Sequence, residues 1–215
     1  MIPTIVTHGG AGAWNLESHR LEEAQKACIE AAKAGQAILV DGGSALDAVE
    51  AAVRILEDCP VLDAGRGSYL NADGDVEMDA LIMDGRSLDL GAVGAIQRVQ
   101  NPISLARRIM TDSEHGLLVG EGASAFADAI GFPRCHPTEL LVGDEYEHYV
   151  ELKEQDDYET ATVFSEPGAM GDTVGAVALD ANGNLAVASS TGGTRKKLPG
   201  RVGDAILARW DYREE

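Results

Sequence analysis

Histidine, cysteine and aromatic side chains are scarce in this 215-residue chain, and each scarcity removes a class of function. The five histidines are scattered without ligand spacing, and Cys28, Cys59 and Cys135 form an odd set with no CxxC pair. Such a set indicates neither a zinc site nor a disulfide framework, and it argues against a metal-dependent hydrolase. No apolar run reaches the ~18 residues that a spanning helix needs. The N-terminus lacks the basic and apolar regions of a signal peptide. The expectation is a cytoplasmic protein with no membrane partner. Aromatics are only 5% of the chain, so Ala, Val, Leu and Gly must fill the core and let backbones approach closely. Lysine is scarce as well, five against twelve arginines.

What is abundant is negative charge. The chain carries 36 acidic and 17 basic residues, a net charge of −19. A nucleic-acid partner is excluded on this balance, since it requires a basic face. Acidic residues spread along the whole chain, with arginine preferred to lysine, fit a salt-rich cytosol in which screening relieves self-repulsion. An ordinary acidic protein is the alternative. Apolar content is 45%, and the length suits one elaborated domain over 1–215.

Along the chain, residues 3–8 read as a strand running into the glycine-rich turn His8 to Gly12. Residues 17–39 show helical periodicity, with Leu21, Ala24, Cys28, Ala31, Ala32 and Ile38 on one side. Ser44 caps a second helix to about Asp58, whose apolar face is Ala45, Ala48, Ala52, Val53 and Leu56. Ser68 to Leu70, Val76 to Met83 and Leu90 to Val99 are candidate antiparallel strands. Helices are predicted from Pro102 to about Met110 and from Gly122 to Ile130. The stretch from Gly143 to Gly171 is crowded with Asp and Glu; its beginning reads as helix and about 155–171 as an exposed, mobile linker.

That acidic stretch ends at Asp172-Thr173, and Thr173 opens a hairpin. Val174 to Leu179 is a strand of small and β-branched residues, Ala181-Asn182-Gly183-Asn184 a tight turn, and Leu185 to Ala188 the return strand into Ser189-Ser190-Thr191-Gly192-Gly193. Cutting the chain before Thr173 would give one residue both a hydroxyl nucleophile and a free amine as its base. Read alone, Asp-Thr is more readily a strand cap, with Thr173 an ordinary pleated-sheet residue. Arg201 and Asp204, read alone, fit a surface ion pair, and Thr191 fits a strand end.

The motifs around the hairpin change that balance. His8-Gly9-Gly10-Ala11-Gly12, Leu62-Asp63-Ala64-Gly65-Arg66-Gly67-Ser68, Glu77-Met78-Asp79-Ala80, Ile82-Met83-Asp84-Gly85 and Lys197-Leu198-Pro199-Gly200-Arg201-Val202-Gly203-Asp204 occur in order with the Thr173 hairpin. Together they resemble the plant-type L-asparaginase and isoaspartyl peptidase family, from about residue 3 to residue 204. The resemblance implies an α+β fold, the four-layer αββα sandwich of the N-terminal nucleophile hydrolases. It implies cleavage between Asp172 and Thr173, giving an α-subunit-like piece of residues 1–172 and a β-subunit-like piece of residues 173–215. Thr173 would attack the preceding carbonyl and later the substrate amide, its α-amine of pKa ~7.7–8.0 serving as base. Thr191 would orient that nucleophile, and Asp63 would position it. Arg201 and Asp204 would hold the α-carboxylate and α-ammonium of a small amino acid or dipeptide, asparagine or a β-aspartyl peptide. Gly9, Gly10 and Gly12 would line the loop near the site. No organic cofactor and no metal held by side chains is implied, although residues 56–66 resemble a loop that holds sodium through backbone carbonyls. A homodimer is the family's assembly.

Three departures from the family pattern bear on function. Asp172 replaces the usual glycine, as in the related glycosylasparaginase and threonine aspartase branches, and its carboxylate can act as a local base in the first attack. Asp63 replaces asparagine, and its charge would raise the pKa of the Thr173 amine. After Asp204 the family continues with a Ser-Pro segment and, later, a Thr-Gly pair that supplies the oxyanion hole, whereas this chain runs Ala205 to Glu215. A truncated or frameshifted, non-catalytic remnant or binding module is therefore the alternative to a working amidohydrolase, with a glycosylasparaginase-like hydrolase as a further one.

Overall fold

The computed structural model describes residues 1–11, 19–143, 145–154 and 173–206. The expected linker 155–171, Gly12, Asp172 and the tail from residue 207 lie outside the described residues. Among these residues the elements run β1 (Thr4–Gly9), α1 (His19–Val40), α2 (Ala45–Asp58), β2 (Met78–Asp84), β3 (Leu90–Ile96), α3 (Pro102–Asp112), β4 (Leu117–Val119), α4 (Gly120–Ala129), α5 (Pro137–Leu140), α6 (Glu145–Lys153), β5 (Val174–Leu179) and β6 (Leu185–Thr191). A 3-10 turn, Asp204–Ile206, follows.

The strands form one mixed sheet in the order β1-β5-β6-β2-β3-β4. All neighbours are antiparallel except β3 and β4, which run parallel. The hairpin that Thr173 opens therefore lies inside the sheet, with β1 on one side and β2 on the other. Both flanking strands come from the stretch of chain before Thr173, so backbone ladders on two sides bind the hairpin to it.

Alternation along the hairpin explains the packing. Val174, Ala176 and Ala178 of β5 and Ala186, Ala188 and Ser190 of β6 point to the buried face, against α2. Small side chains there let the helix approach the strands closely. Helix α2 forms as its sequence indicates: the Ser44 side chain accepts from the Asp47 backbone N–H, and Ala45, Ala48, Ala52, Val53 and Leu56 are all buried. Helix α1 buries Ala24, Ala27, Ala31, Gly35 and Leu39, a stripe rotated from the expected one. A side chain at Gly35 would overlap Ile5 Cδ1 and sit 3.0 Å from the Ala48 carbonyl, so α1 crosses β1 and α2 at that point. Burial of Leu39, Leu56, Leu62, Ile82, Ile96 and Ile103 stabilises the fold by about 1.5–3 kcal/mol per side chain.

The opposite sheet face is more open. Val6, Val177 and Val187 lie in one cross-strand row, and Val6 and Val177 are 65% and 49% exposed. Further along, Leu81, Met83 and Ala92 are covered by Ile206 and Val202. The architecture is α+β, as expected: one helix layer and one sheet of the sandwich are present among the described residues. Ser68 to Leu70 forms only an isolated bridge, Leu70 to Val76, and not a strand. Strand β4 and helix α5 were not expected.

One buried carboxyl joins the helices. Glu57, fully buried at the end of α2, accepts from the Ile103 backbone N–H at 2.9 Å. It thereby serves the start of α3, whose N-cap Asn101 makes no side-chain cap bond. Burial pushes its carboxyl from 4.5 up to about 8. The folded state therefore holds a proton that the unfolded state releases above 4.5. This contribution is complete below that pH and lost as pH rises through about 8. Comparing urea unfolding of the wild type and Glu57→Gln should show their stability difference shifting against the wild type by about 1.4 kcal/mol per pH unit within this window.

Candidate active site

Antiparallel register assembles the site. Val174 pairs with Ser190, so one further step sets Thr173 across from Thr191. Thr191 in turn pairs with Asp79 of β2. Thr173, Thr191 and Asp79 thus lie in one row at the end of three adjacent strands. Thr173 is half-buried, and its carbonyl oxygen lies 3.1 Å from His8 Nδ1 at the end of β1. This contact brings the glycine-rich turn to the head of the hairpin. Gly10 there has φ of 105°, and a side chain at Gly9 would sit 2.6 Å from Cys28 Sγ, so both positions require glycine. Beside Thr173 a groove of about 310 Å³ runs over the open sheet face, lined by Val6, His8, Val177 and Val187.

Behind Thr191 the chain is tightly seated. Thr191 is buried, and its hydroxyl accepts from the Gly193 backbone N–H at 2.9 Å, leaving its own proton to donate. Gly192 donates its N–H to the Asp63 carbonyl at 2.8 Å. A Cβ at Gly192 would overlap Asp63 Oδ1 and lie 2.5 Å from Ser68 Cβ. Asp63 is fully buried, and its Oδ1 accepts from the Tyr69 N–H at 3.0 Å. The structure thus brings Asp63 against the Thr191 turn.

The loop carrying Arg201 is held by two acids of the Glu77-Met78-Asp79-Ala80 run. Glu77 Oε2 accepts from Gly200 N at 2.9 Å, and Asp79 Oδ2 accepts from Gly203 N at 2.8 Å. Asp79 Oδ1 also accepts from Ala95 N at 2.8 Å. Arg201 is itself exposed, but its Nη1 folds back to within 3.2 Å of where a Cβ on Gly193 would be. Asp204 is exposed at the start of the 3-10 turn, one residue beyond the anchored Gly203.

Lys197 is the residue whose role the sequence did not disclose. It is 3% exposed, and its Nζ donates to the Glu77 carbonyl at 2.5 Å and the Gly192 carbonyl at 2.7 Å. Burial pulls its ammonium below the usual lysine range, while Asp63, Asp79 and Glu77 pull it back up. One cation therefore ties the start of β2 to the turn after β6. The three thiols are all raised by burial, which makes them poor nucleophiles.

Among the described residues no group of His, Cys, Asp and Glu could hold a metal. In the 56–66 loop, the Pro60 and Leu62 carbonyls converge on Gly67, within 2.8 Å and 2.7 Å of where its Cβ would be. The Glu57, Cys59, Asp63 and Gly65 carbonyls already accept backbone N–H bonds. The Pro60 and Leu62 carbonyls crowd the Gly67 backbone and leave no room for a side chain there, and this contact does not assign sodium to the loop.

A mixed central sheet with helices packed on one face is consistent with the sandwich of the N-terminal nucleophile hydrolases. Comparison with known proteins narrows the class. The family profile described as Asparaginase matches residues 1–208. An isoaspartyl peptidase/L-asparaginase of Danio rerio is 49% identical over 206 residues, covering 95% of this chain and 64% of that protein. Its Homo sapiens counterpart is 46% identical, covering 95% of this chain and 65% of the relative. An isoaspartyl peptidase of Escherichia coli strain K12 is 44% identical, covering 94% and 65%. The chain belongs to the L-asparaginase/isoaspartyl peptidase family, and it spans slightly less than two thirds of these relatives' length.

The seating of Gly192 gives a direct test of the site's packing. Gly192→Ala should lower stability by about 2–3 kcal/mol, because Asp63 and Ser68 occupy the space its methyl would need. Thermal unfolding followed by circular dichroism reads this out; an unchanged melting temperature would contradict the close approach.

Proposed function

We propose that this chain is an amidohydrolase that releases L-aspartate from L-asparagine or β-aspartyl peptides, with Thr173 as nucleophile after cleavage between Asp172 and Thr173. The observation that carries the reading is the cross-strand placement of Thr173 opposite Thr191, beside the turn that Asp63 supports. In the first step the Thr173 hydroxyl attacks the Asp172 carbonyl carbon. The peptide C–N bond breaks as the ester C–O bond forms, and the nitrogen takes up the hydroxyl proton. Water then opens the ester, leaving a carboxylate on Asp172 and a free α-amine on Thr173.

In the second step that amine takes the proton as the hydroxyl attacks the substrate's side-chain amide. Ammonia, or the peptide amine, leaves with that proton, and water hydrolyses the resulting aspartyl ester. Thr191 retains a hydroxyl proton with which to orient the nucleophile. Arg201 supplies a planar fork for the substrate's α-carboxylate, and Asp204 an acceptor for its α-ammonium. Support for a substrate carboxylate comes from Arg201, which is exposed while Arg195, Lys196 and Lys197 of the same segment are engaged within the protein. Relatives named isoaspartyl peptidase/L-asparaginase support the substrate class. No step is routed through sodium.

Incubation with L-asparagine and with a β-aspartyl dipeptide tests the reading by enzymatic detection of L-aspartate. Release by the wild type, abolished in Thr173→Ala and weakened mainly through KM in Arg201→Ala, is expected. Absence of release at any substrate concentration points instead to a family member that binds without turnover. Asp63→Asn should move the acid limb of the pH–rate profile downward by roughly 0.5–1 unit, because the amine would lose a nearby negative charge that favours its protonated form.

A further inference from the structure

Helix α6 lies before the proposed cut, yet it is fastened to residues that lie after it. Glu145 and Arg195 form a bidentate pair, with Arg195 Nη2 2.9 Å from Glu145 Oε2 and Nε 3.1 Å from Oε1. Their side chains are only 9% and 14% exposed. Lys196 Nζ donates to the Leu152 carbonyl at 2.9 Å near the other end of the helix. Tyr149 of the same helix donates its hydroxyl to the Ala72 carbonyl.

The Arg195 guanidinium also lies over the Tyr69 ring, 4.2 Å from its centroid. Tyr69 is 1% exposed, and its hydroxyl has no hydrogen-bond partner among the described residues. Two contacts therefore fix this residue in place of a hydroxyl bond: the stacked cation above, and the backbone N–H given to Asp63 Oδ1. We propose that Arg195, locked by Glu145 and laid on Tyr69, is a positioning residue that docks α6 and holds the Tyr69–Asp63 wall behind the Thr191 turn.

Physically, a desolvated cation over an aromatic face is attracted by the ring quadrupole, and a bidentate fork fixes the guanidinium plane. Losing one member of a buried pair leaves the other uncompensated, so the pair acts as a unit. Because α6 precedes Thr173 and Arg195 follows it, the same contact also ties the two pieces of a cut chain together. The inference rests on the reading of Thr173 as nucleophile only in naming the site that this wall serves.

Amide hydrogen exchange tests it without requiring turnover or a cut, in the full chain carrying Thr173→Ala. Adding Arg195→Met should speed exchange of the 145–153 amides and of the Tyr69 amide at least tenfold, with β2 and β3 amides unchanged. The charge swap Glu145→Arg with Arg195→Glu should restore protection of the helix but not of Tyr69, since it returns the ion pair without a cation on the ring. If Arg195→Met unfolds the chain, the milder Arg195→Lys keeps the charge and loses the fork, and should accelerate both sets of amides several-fold. An unchanged Tyr69 amide in the Met or Lys variant, or its full recovery in the swap, overturns the proposal. Missing aspartate release in the wild type would count against the hydrolase reading alone.

Discussion

The pairing of β6 with β5 on one side and β2 on the other is the constraint on which the site depends. Because a strand's side chains alternate, the register that buries Ala186, Ala188 and Ser190 against α2 also fixes which residues meet at the strand ends. Slipping either pairing by one residue would turn the apolar face outward. The alignment of Thr173, Thr191 and Asp79 is thus enforced by the core and does not depend on contacts among those three residues. Around that row the chain closes from three directions: the glycine turn through His8, the Asp63–Tyr69 segment through Gly192, and the Arg201 loop through Glu77 and Asp79.

Charge is distributed to suit this arrangement. In a protein of net charge −19, two of the five lysines are adjacent in sequence, and both are fixed on backbone carbonyls, Lys196 on Leu152 and Lys197 on Glu77 and Gly192. Three carboxylates surround Lys197, which offsets the cost of burying its ammonium. Arg201 is left at the surface with its guanidinium turned back towards Gly193, where it can meet a carboxylate from solution. Lys197 is buried and Lys196 partly so, whereas Arg201, the proposed binding cation, is presented to solvent.

Much of this was legible in the sequence, for identifiable reasons. Helix α2 carries a serine cap and an unbroken apolar face, so local signals suffice. The Thr173 hairpin has a two-sided pattern and a glycine-containing turn. The motifs that mark the family pointed to Thr191, Asp63 and Arg201, and the fold brings these to one end of the sheet. Other features could not be read locally. Strand β4 is three residues long and owes its existence to the edge of β3. Ile38 was expected in the α1 stripe, but Gly35 sets the crossing and Leu39 takes the buried place. Lys197 lies 120 residues from the Glu77 carbonyl it binds, and Glu145 lies 50 from Arg195, so no spacing rule links either pair. The presence of Glu77 and Asp79 in a family motif was the available signal for their role.

The central claim is that the row of Thr173, Thr191 and Asp79, with the Asp63 turn behind it, makes Thr173 attack its own chain. Intact mass of the purified protein under denaturing conditions, in low and high salt, tests this most directly. The account predicts two species, 1–172 and 173–215, with the second beginning at Thr173. A single uncut chain in both salts, stable over days, would contradict it.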